Sequence, residues 1–387
     1  MQRIGGGARK LPDEFDQNTA EERIAALADA VKRDPRYRDS LVELLPERIP
    51  LYAGRSTNAT IRMRGYILAA FEQAGLPDPA IPYVLEELES GRDAYLVAAA
   101  AKAIRGLDGP TDRAVPFLLK AIENIKYSDD ALSFDSYRPQ WPVPSHTTAI
   151  EEIMKTFAWL GEHARPALPA LEALREDQGA LSAPARAALE AIVTGLADAD
   201  AGCCAAEEKA VDSTAGRHAH DERPSAAVPM DVELEDQDGR AVTFGGFFTG
   251  KPSIVVFFYT RCTNPNKCSL TIAKLAQLQG ALRQRGLQGE LHTAAITYDP
   301  GFDLPARLTA YGQNRGVVFS DSDRFLRTKT GFDTLQEYFE LGVNFGPALV
   351  NRHRIELFIL DREGRIAVTF TRLQWDVQDV LQHACAW

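Results

Sequence analysis

The chain has 387 residues, 45% of them hydrophobic and 25% charged, with a net charge of −11. That length suits two domains of ordinary size, and the acidic balance excludes a general nucleic-acid binder, which would need a basic surface. No apolar run reaches the eighteen residues of a membrane span, the amino-terminal stretch lacks an apolar leader, and five cysteines are too few for a disulfide framework. The expectation is therefore a cytoplasmic chain with no membrane partner, whose thiols are metal-binding, redox-active or incidental.

From Thr19 to Leu196 the sequence reads as successive amphipathic helices rich in Ala, Leu, Glu and Arg, with almost no strand signal. Helices are expected over Ala20–Val31, Arg36–Leu51, Ala59–Ala74, Ile81–Glu89, Ala94–Leu107, Ala114–Ile125, Thr148–Leu160, Ala167–Arg175 and Ala183–Leu196. Three of them open alike, at Ala80-Ile81-Pro82, Ala114-Val115-Pro116 and Ala167-Leu168-Pro169, each after a short turn containing glycine. Proline suits a first helical turn, where its missing N–H would have no partner, and glycine suits the turn that stops the helix before. Helix pairs at this spacing resemble HEAT-type repeats, so residues 1–197 are expected to form an α-solenoid. Solenoids present long concave surfaces to proteins or peptides. The irregular insertion Tyr127–Ser145 is the natural interaction element, with Tyr137 and Trp141 as its anchors. For any single residue of these helices, burial against a neighbouring helix is the simpler role.

Periodicity dissolves between Ala197 and Ala227, and residues 198–228 read as a flexible linker of small and charged residues. It holds a vicinal thiol pair, Cys203-Cys204, and an HxH pair, His218 and His220. Both are competent for metal, and both are equally compatible with an inert tether.

Residues 229–387 change character. Asp231–Asp236 and Arg240–Phe244 flank a DQDG turn and read as a hairpin. SIVVFFY after Gly250-Lys251-Pro252 reads as a buried central strand, which places Cys262 and Cys268 at its carboxyl end, where open α/β sheets bind ligands. The following stretch has helical period, and a cysteine at a helix's first turn lies near the positive end of the dipole, which favours thiolate. Thiolate attacks disulfides and binds soft metals. Leu291–Tyr298 reads as a second strand, Leu304–Arg315 as a helix, Val317–Phe319 as a short strand and Arg324–Thr330 as a helical patch. Arg354–Leu360 and Arg365–Thr371 form a hairpin about a DREG turn, and Asp376–Ala384 a last helix. Two β-α-β segments joined to a terminal hairpin and helix make a thioredoxin-like α/β domain. The fold class expected for the whole is multidomain α and α/β.

Four stretches then resemble the Sco (SenC) family of thioredoxin-fold copper chaperones: FFYTRC at the end of the central strand with a second cysteine after it, ITYDPGFD at Ile296–Asp303, and HRIELFILDREGRI at His353–Ile366. The resemblance covers about two fifths of the chain and leaves the helical half outside it. It implies that Cys262 and Cys268 supply two thiolates, and His353 an imidazole, to one copper ion. Two thiolates and an imidazole suit Cu(I) and can also take Cu(II) or zinc. The family separates its cysteines by three residues, whereas here five intervene, Thr263-Asn264-Pro265-Asn266-Lys267. Asn-Pro-Asn is turn chemistry, so Cys262 is expected on a loop that bulges back over the start of the helix carrying Cys268.

A metallochaperone that handles copper for a protein or peptide client on the solenoid is the reading that follows. The alternatives are a thiol–disulfide oxidoreductase using Cys262 and Cys268 as catalytic residues, or a copper-dependent oxidant of a bound peptide. A CxxC reductase motif and the TxxC of peroxiredoxins are both missing. Asp299 and Asp303 read as loop or cap residues, and His383 with Cys385 as a chance pair on a terminal helix.

Overall fold

A computed structural model describes residues 15–139, 143, 145–176, 181–200, 217–219, 227–346, 350–371 and 375–387; for 197–200, 217–219 and 351 it describes the backbone alone. The chain divides into two compact units, Met1–Asp212 with Asn344–Pro347, and Ser213–Val343 with Ala348–Trp387.

The first unit is helical. Its α-helices are α1 (Glu21–Arg33), α2 (Arg38–Val42), α3 (Thr57–Ala74), α4 (Ile81–Ser90), α5 (Ala94–Ile104), α6 (Val115–Ile125), α7 (Ala149–Leu160), α8 (Leu168–Glu176) and α9 (Ala183–Asp200). Side-chain oxygens of Ser56, Asp93 and Thr148 accept backbone N–H groups at the starts of α3, α5 and α7, satisfying donors that a helix leaves open there. Pro82 and Pro116 occupy the first turns of α4 and α6, as their spacing predicts. Odd-numbered helices pack in succession, α1 on α3, α3 on α5, α5 on α7 and α7 on α9, while α4 packs on α6. Helix α5 buries Ala98 to Ala101 completely, and small side chains there let its neighbours approach closely. Charge is buried or half-buried with its partners: Arg64 sits 3.1 Å from Glu47 and 3.9 Å from Glu87, and Arg105, just after α5, reaches Glu72 of α3 and Glu152 of α7 at 2.5 and 2.6 Å.

Two expectations for this unit are corrected. Arg36–Leu51 is not one helix, because only Arg38–Val42 is α-helical and Pro46 and Pro50 both disfavour helix at the residue before them. Tyr137 is not an exposed anchor: it is 8% exposed, its hydroxyl donates to Glu21 at 2.5 Å, and its ring meets Tyr66 edge-on at 5.4 Å. Phe134 of the same insertion stacks on Tyr95 at 4.7 Å, so two of the insertion's rings are engaged by the helices, while Tyr127 at its start is 82% exposed. Trp141 lies outside the described residues.

The second unit is a mixed sheet with helices on both faces. The strands of the chain are β1 (Arg217–Ala219), β2 (Glu233–Asp236), β3 (Ala241–Thr243), β4 (Ser253–Phe258), β5 (His292–Thr297), β6 (Asp323–Thr328), β7 (Val343–Phe345, of which Val343 alone belongs to this unit), β8 (Val350–His353), β9 (Glu356–Leu360) and β10 (Ile366–Thr371). Eight of them form one sheet in the order β1-β10-β9-β4-β5-β6-β2-β3, parallel only between β4, β5 and β6, and β7 pairs with β8 separately. Helices α10 (Phe244–Phe248), α11 (Leu270–Gln284), α12 (Pro305–Gln313), α13 (Phe332–Tyr338) and α14 (Val377–Ala384) complete it.

Strand β4 is buried along its whole length, and alternation splits it between two cores. Ile254, Val256 and Phe258 pack with Ile272, Leu275 and Leu278 of α11 and Val380 and Leu381 of α14. Phe257 faces the other way, 5.0 Å from Phe339, which lies 4.8 Å from Phe358. The DQDG and DREG turns use one device: the first aspartate, Asp236 or Asp361, accepts backbone N–H groups two and four residues on, and Gly239 or Gly364 takes the positive φ.

Three sequence expectations differ here. Arg324–Thr330 is not a helical patch; Asp323–Thr328 is strand β6, held by parallel pairing to β5 and antiparallel pairing to β2. Val317–Phe319 is not a strand. Arg217–Ala219, inside the expected linker, is an edge strand against β10, with His218 in register with Thr369; an open edge recruits backbone, whatever its side-chain pattern. The β7–β8 pair and α13 were not anticipated.

Candidate metal centre

Cys262 follows β4 by three residues and a turn, its N–H returning to the Tyr259 carbonyl at 3.3 Å. Buried Asp303 ties this turn down: it accepts the Thr260 N–H at 3.1 Å and the hydroxyls of Thr260 and of Thr297 at the end of β5. Burial pushes the Asp303 carboxyl up, against the pull of these hydrogen bonds. Asp299 is engaged separately, by Arg261. Neither aspartate joins the centre.

Of the five residues between the cysteines, the last three begin a short turn, Pro265–Ser269, that runs into α11. Asn264 caps it by accepting the Asn266 N–H at 2.9 Å, and the turn kinks at Lys267, which departs from helical dihedrals at φ −114°, ψ −108°. The kinked turn fits the extra residues in ahead of α11. It keeps Cys268 at the helix start while Cys262 overhangs it.

The third group comes from a distant stretch. His353 ends β8, and its Nε2 lies 3.5 Å from the Sγ of Cys262 and 3.5 Å from the Sγ of Cys268. Among the described residues these three form the one group of metal-competent side chains, all ligand atoms within 4.8 Å of one another. The opposite ring nitrogen, Nδ1, is 3.2 Å from the Arg354 carbonyl, a contact that orients the ring with Nε2 towards the sulfurs. Lys267, almost fully buried, donates its ammonium to the His353 carbonyl at 2.8 Å and so links the thiol turn to the histidine strand. Tyr259 meets the imidazole edge-on at 5.4 Å, and Tyr298 lies 5.5 Å away with its hydroxyl on Glu356.

The two thiols are unequal. Hydrogen bonding from Cys268 holds the partly exposed Cys262 far below the usual thiol range, at about 3, overcoming burial with further help from His353. Burial, with the Cys262 charge, pushes Cys268 up. The two thiols titrate as a pair, with Cys262 the one that gives up its proton more readily.

The donor set fits a soft metal ion. Bonds of about 2.3 Å to thiolate and about 2.0 Å to imidazole, at angles between tetrahedral and trigonal, place nitrogen and sulfur about 3.5–3.7 Å apart, as found here. The buried Tyr311 hydroxyl, which lacks a hydrogen-bond partner among the described residues and lies within electrostatic reach of both sulfurs, adds an unused donor beside an anionic centre.

Other sequence candidates lie apart. His383 places Nδ1 2.8 Å from the Asp379 carbonyl and Cys385 is exposed. Cys203, Cys204 and His220 lie outside the described residues, and of His218 only the backbone is described. Sequence reasoning missed Lys267. A lysine between two cysteines was visible, but nothing local announces that it turns inward.

Residues 220–384 match the SCO1/SenC family model. No curated protein matches the chain. Similar solved structures include an SCO1/SenC family lipoprotein from Bacillus anthracis (18% identity, TM-score 0.35, 41% of this chain and 95% of that one). Arabidopsis thaliana ScoI with copper bound is another (19%, 0.34, 41% and 95%), as is yeast Sco1 with copper bound (25%, 0.33, 42% and 91%). Among the described residues no helix is long and apolar enough to cross a membrane.

Proposed function

We propose that the protein binds one copper ion through Cys262, Cys268 and His353 and handles it for a protein or peptide held by the helical unit. The observation that carries this is the convergence of two sulfurs and one imidazole nitrogen, with the nitrogen 3.5 Å from each sulfur, within the residues that match the SCO1/SenC family model. Copper would supply an exchangeable soft centre. The chain's own part is to present Cys262 as a ready thiolate at the partly open side, to keep Cys268 shielded, and to orient the imidazole through the Arg354 carbonyl. The succession of packed helices with proline-opened turns supports a HEAT-like repeat as the docking element. Deleting Tyr127–Ser145 should then abolish client capture while leaving copper uptake intact; capture that survives would remove the insertion from the docking role.

The test of the metal reading is copper stoichiometry after reconstitution of wild type, Cys262→Ser, Cys268→Ser and His353→Ala. One copper per chain, weakened in all three variants, is expected. An unchanged affinity in any of them removes that residue from the site.

The unequal thiols favour a second reading, thiol–disulfide exchange. The Cys262 thiolate would attack a substrate disulfide, expelling one substrate thiolate, and Cys268 would resolve the mixed disulfide. The substrate leaves as a dithiol and Cys262–Cys268 is oxidised. Here Cys262→Ser abolishes turnover and His353→Ala leaves most of it, the reverse of a metal-dependent activity.

A further inference from the structure

We infer that the rim of the metal centre along α12 is a docking surface for an acidic protein that gives copper to this chain or takes it away. This rests on the copper-handling reading and adds the chemistry of the exchange partner.

Leu304, Arg307, Tyr311 and Arg315 recur at helical spacing along α12 and its end, so they form a stripe down one side of that helix. The stripe borders the thiol turn at both ends. Phe302, before α12, lies under two guanidinium groups, Arg307 at 4.0 Å and Arg261, next to Cys262, at 4.2 Å. Arg315 stacks on Tyr311 at 3.5 Å and donates to the hydroxyl of Ser269, next to Cys268, at 3.1 Å. Aromatic stacking holds these planes in place, so little rotamer freedom is lost when they meet carboxylates.

Charge decides the partner. In a chain of net charge −11, neither Arg307 nor Arg315 pairs with a carboxylate among the described residues; Arg307 touches Phe302 alone, and Arg315 only Tyr311 and Ser269. Leu304 is 44% exposed beside them. Arginines held on aromatic rings are the composition of a protein–protein hot spot, and Leu304 adds exposed apolar area beside them. The two guanidinium groups sit on different rings, Arg307 on Phe302 and Arg315 on Tyr311, so they offer two separate positions for two carboxylates on a protein surface.

Two fluorescently labelled peptides sharing a Cys-x-x-Cys copper site, one flanked by glutamates and the other by lysines, test this with the full chain. Without metal, anisotropy should show binding of the glutamate peptide alone, lost at high salt and lost in Arg307→Glu but kept in Arg307→Lys. Loaded with Cu(I), the glutamate peptide should transfer its metal about tenfold faster or more at low salt, and Arg307→Glu should reverse the preference. Equal binding of the two peptides, or undiminished binding by Arg307→Glu, overturns the proposal. So does displacement of the glutamate peptide by inorganic phosphate at matched ionic strength, which would assign the stripe to a small anion. Metal-free discrimination with no copper uptake would leave this surface standing and sink the copper reading instead.

Discussion

At the residue scale the centre depends on what holds its donors as much as on the donors. Lys267 and the Arg354 carbonyl act on His353 from opposite sides, one through its backbone and the other through its ring. Losing an outer partner of this kind costs metal affinity about 10- to 100-fold. Lys267→Met should therefore weaken copper binding by that order and alter the ligand-field spectrum of the Cu(II) form, with far-UV circular dichroism unchanged; an unaltered spectrum would make Lys267 a packing residue only. The thiols give a pH test in the metal-free protein. With Cys262 held at about 3, its thiolate persists across the ordinary pH range, so iodoacetamide should alkylate it at nearly the same rate at pH 5 and pH 8, with Cys268 protected. A rate falling tenfold per pH unit below 8 would show an ordinary thiol. His353 was legible because it precedes a strand with a DREG turn, whereas Lys267 was not, since its burial depends on β8 lying across the turn.

At the scale of elements, β4 organises the domain. Its six buried residues serve both faces of the sheet, and the apolar run announced this in the sequence. Phe257→Ala should cost about 3–5 kcal/mol, read as a lower urea midpoint at constant slope, because Phe339 and Phe358 cannot close the cavity together. A cost below about 1 kcal/mol would mean that this face repacks freely. The two hairpin turns were equally readable, because an Asx-type turn is made by residues within five positions of one another. Strand β6 was not. Arg324, Arg327 and Thr328 look helical or neutral taken alone, and pairing to β5 and β2 overrides that local preference. Strand β1 is invisible for the same reason, its pairing to β10 being all backbone.

At the scale of the whole molecule, charge buried in the helical unit links stability to pH. Burial alone would raise the Glu152 carboxyl, yet Lys155, Lys102 and Arg105 bring it down to about 2 from an ordinary 4.5. A depressed carboxyl contributes stability that is complete above about pH 4.5 and lost as pH falls towards 2. The contribution is on the order of 3 kcal/mol. Glu152→Gln should flatten the acid limb of the stability curve between those values, and an unchanged limb would assign acid unfolding to other carboxylates. Copper acts by mass action: at a free concentration one hundred times its dissociation constant it adds about 2.7 kcal/mol. Calorimetry should show that shift in wild type and not in Cys268→Ser, and equal shifts would mean that copper binds elsewhere.

The resemblance to the Sco (SenC) family pointed to Cys262, Cys268 and His353, and the sequence by itself determined the helical and α/β halves, the central strand and both aspartate-led turns. Each of these is written in local period or in side-chain chemistry, which neighbours along the chain decide. Tertiary structure alone decided that a kinked turn before α11 could take up the intervening residues and let both sulfurs reach one imidazole. It also decided that Tyr137 is buried, that Lys267 faces inward, and that Arg307 and Arg315 have no carboxylate partner among the described residues. Those outcomes depend on segments far apart in sequence meeting in space, and burial and ion pairing are properties of that meeting.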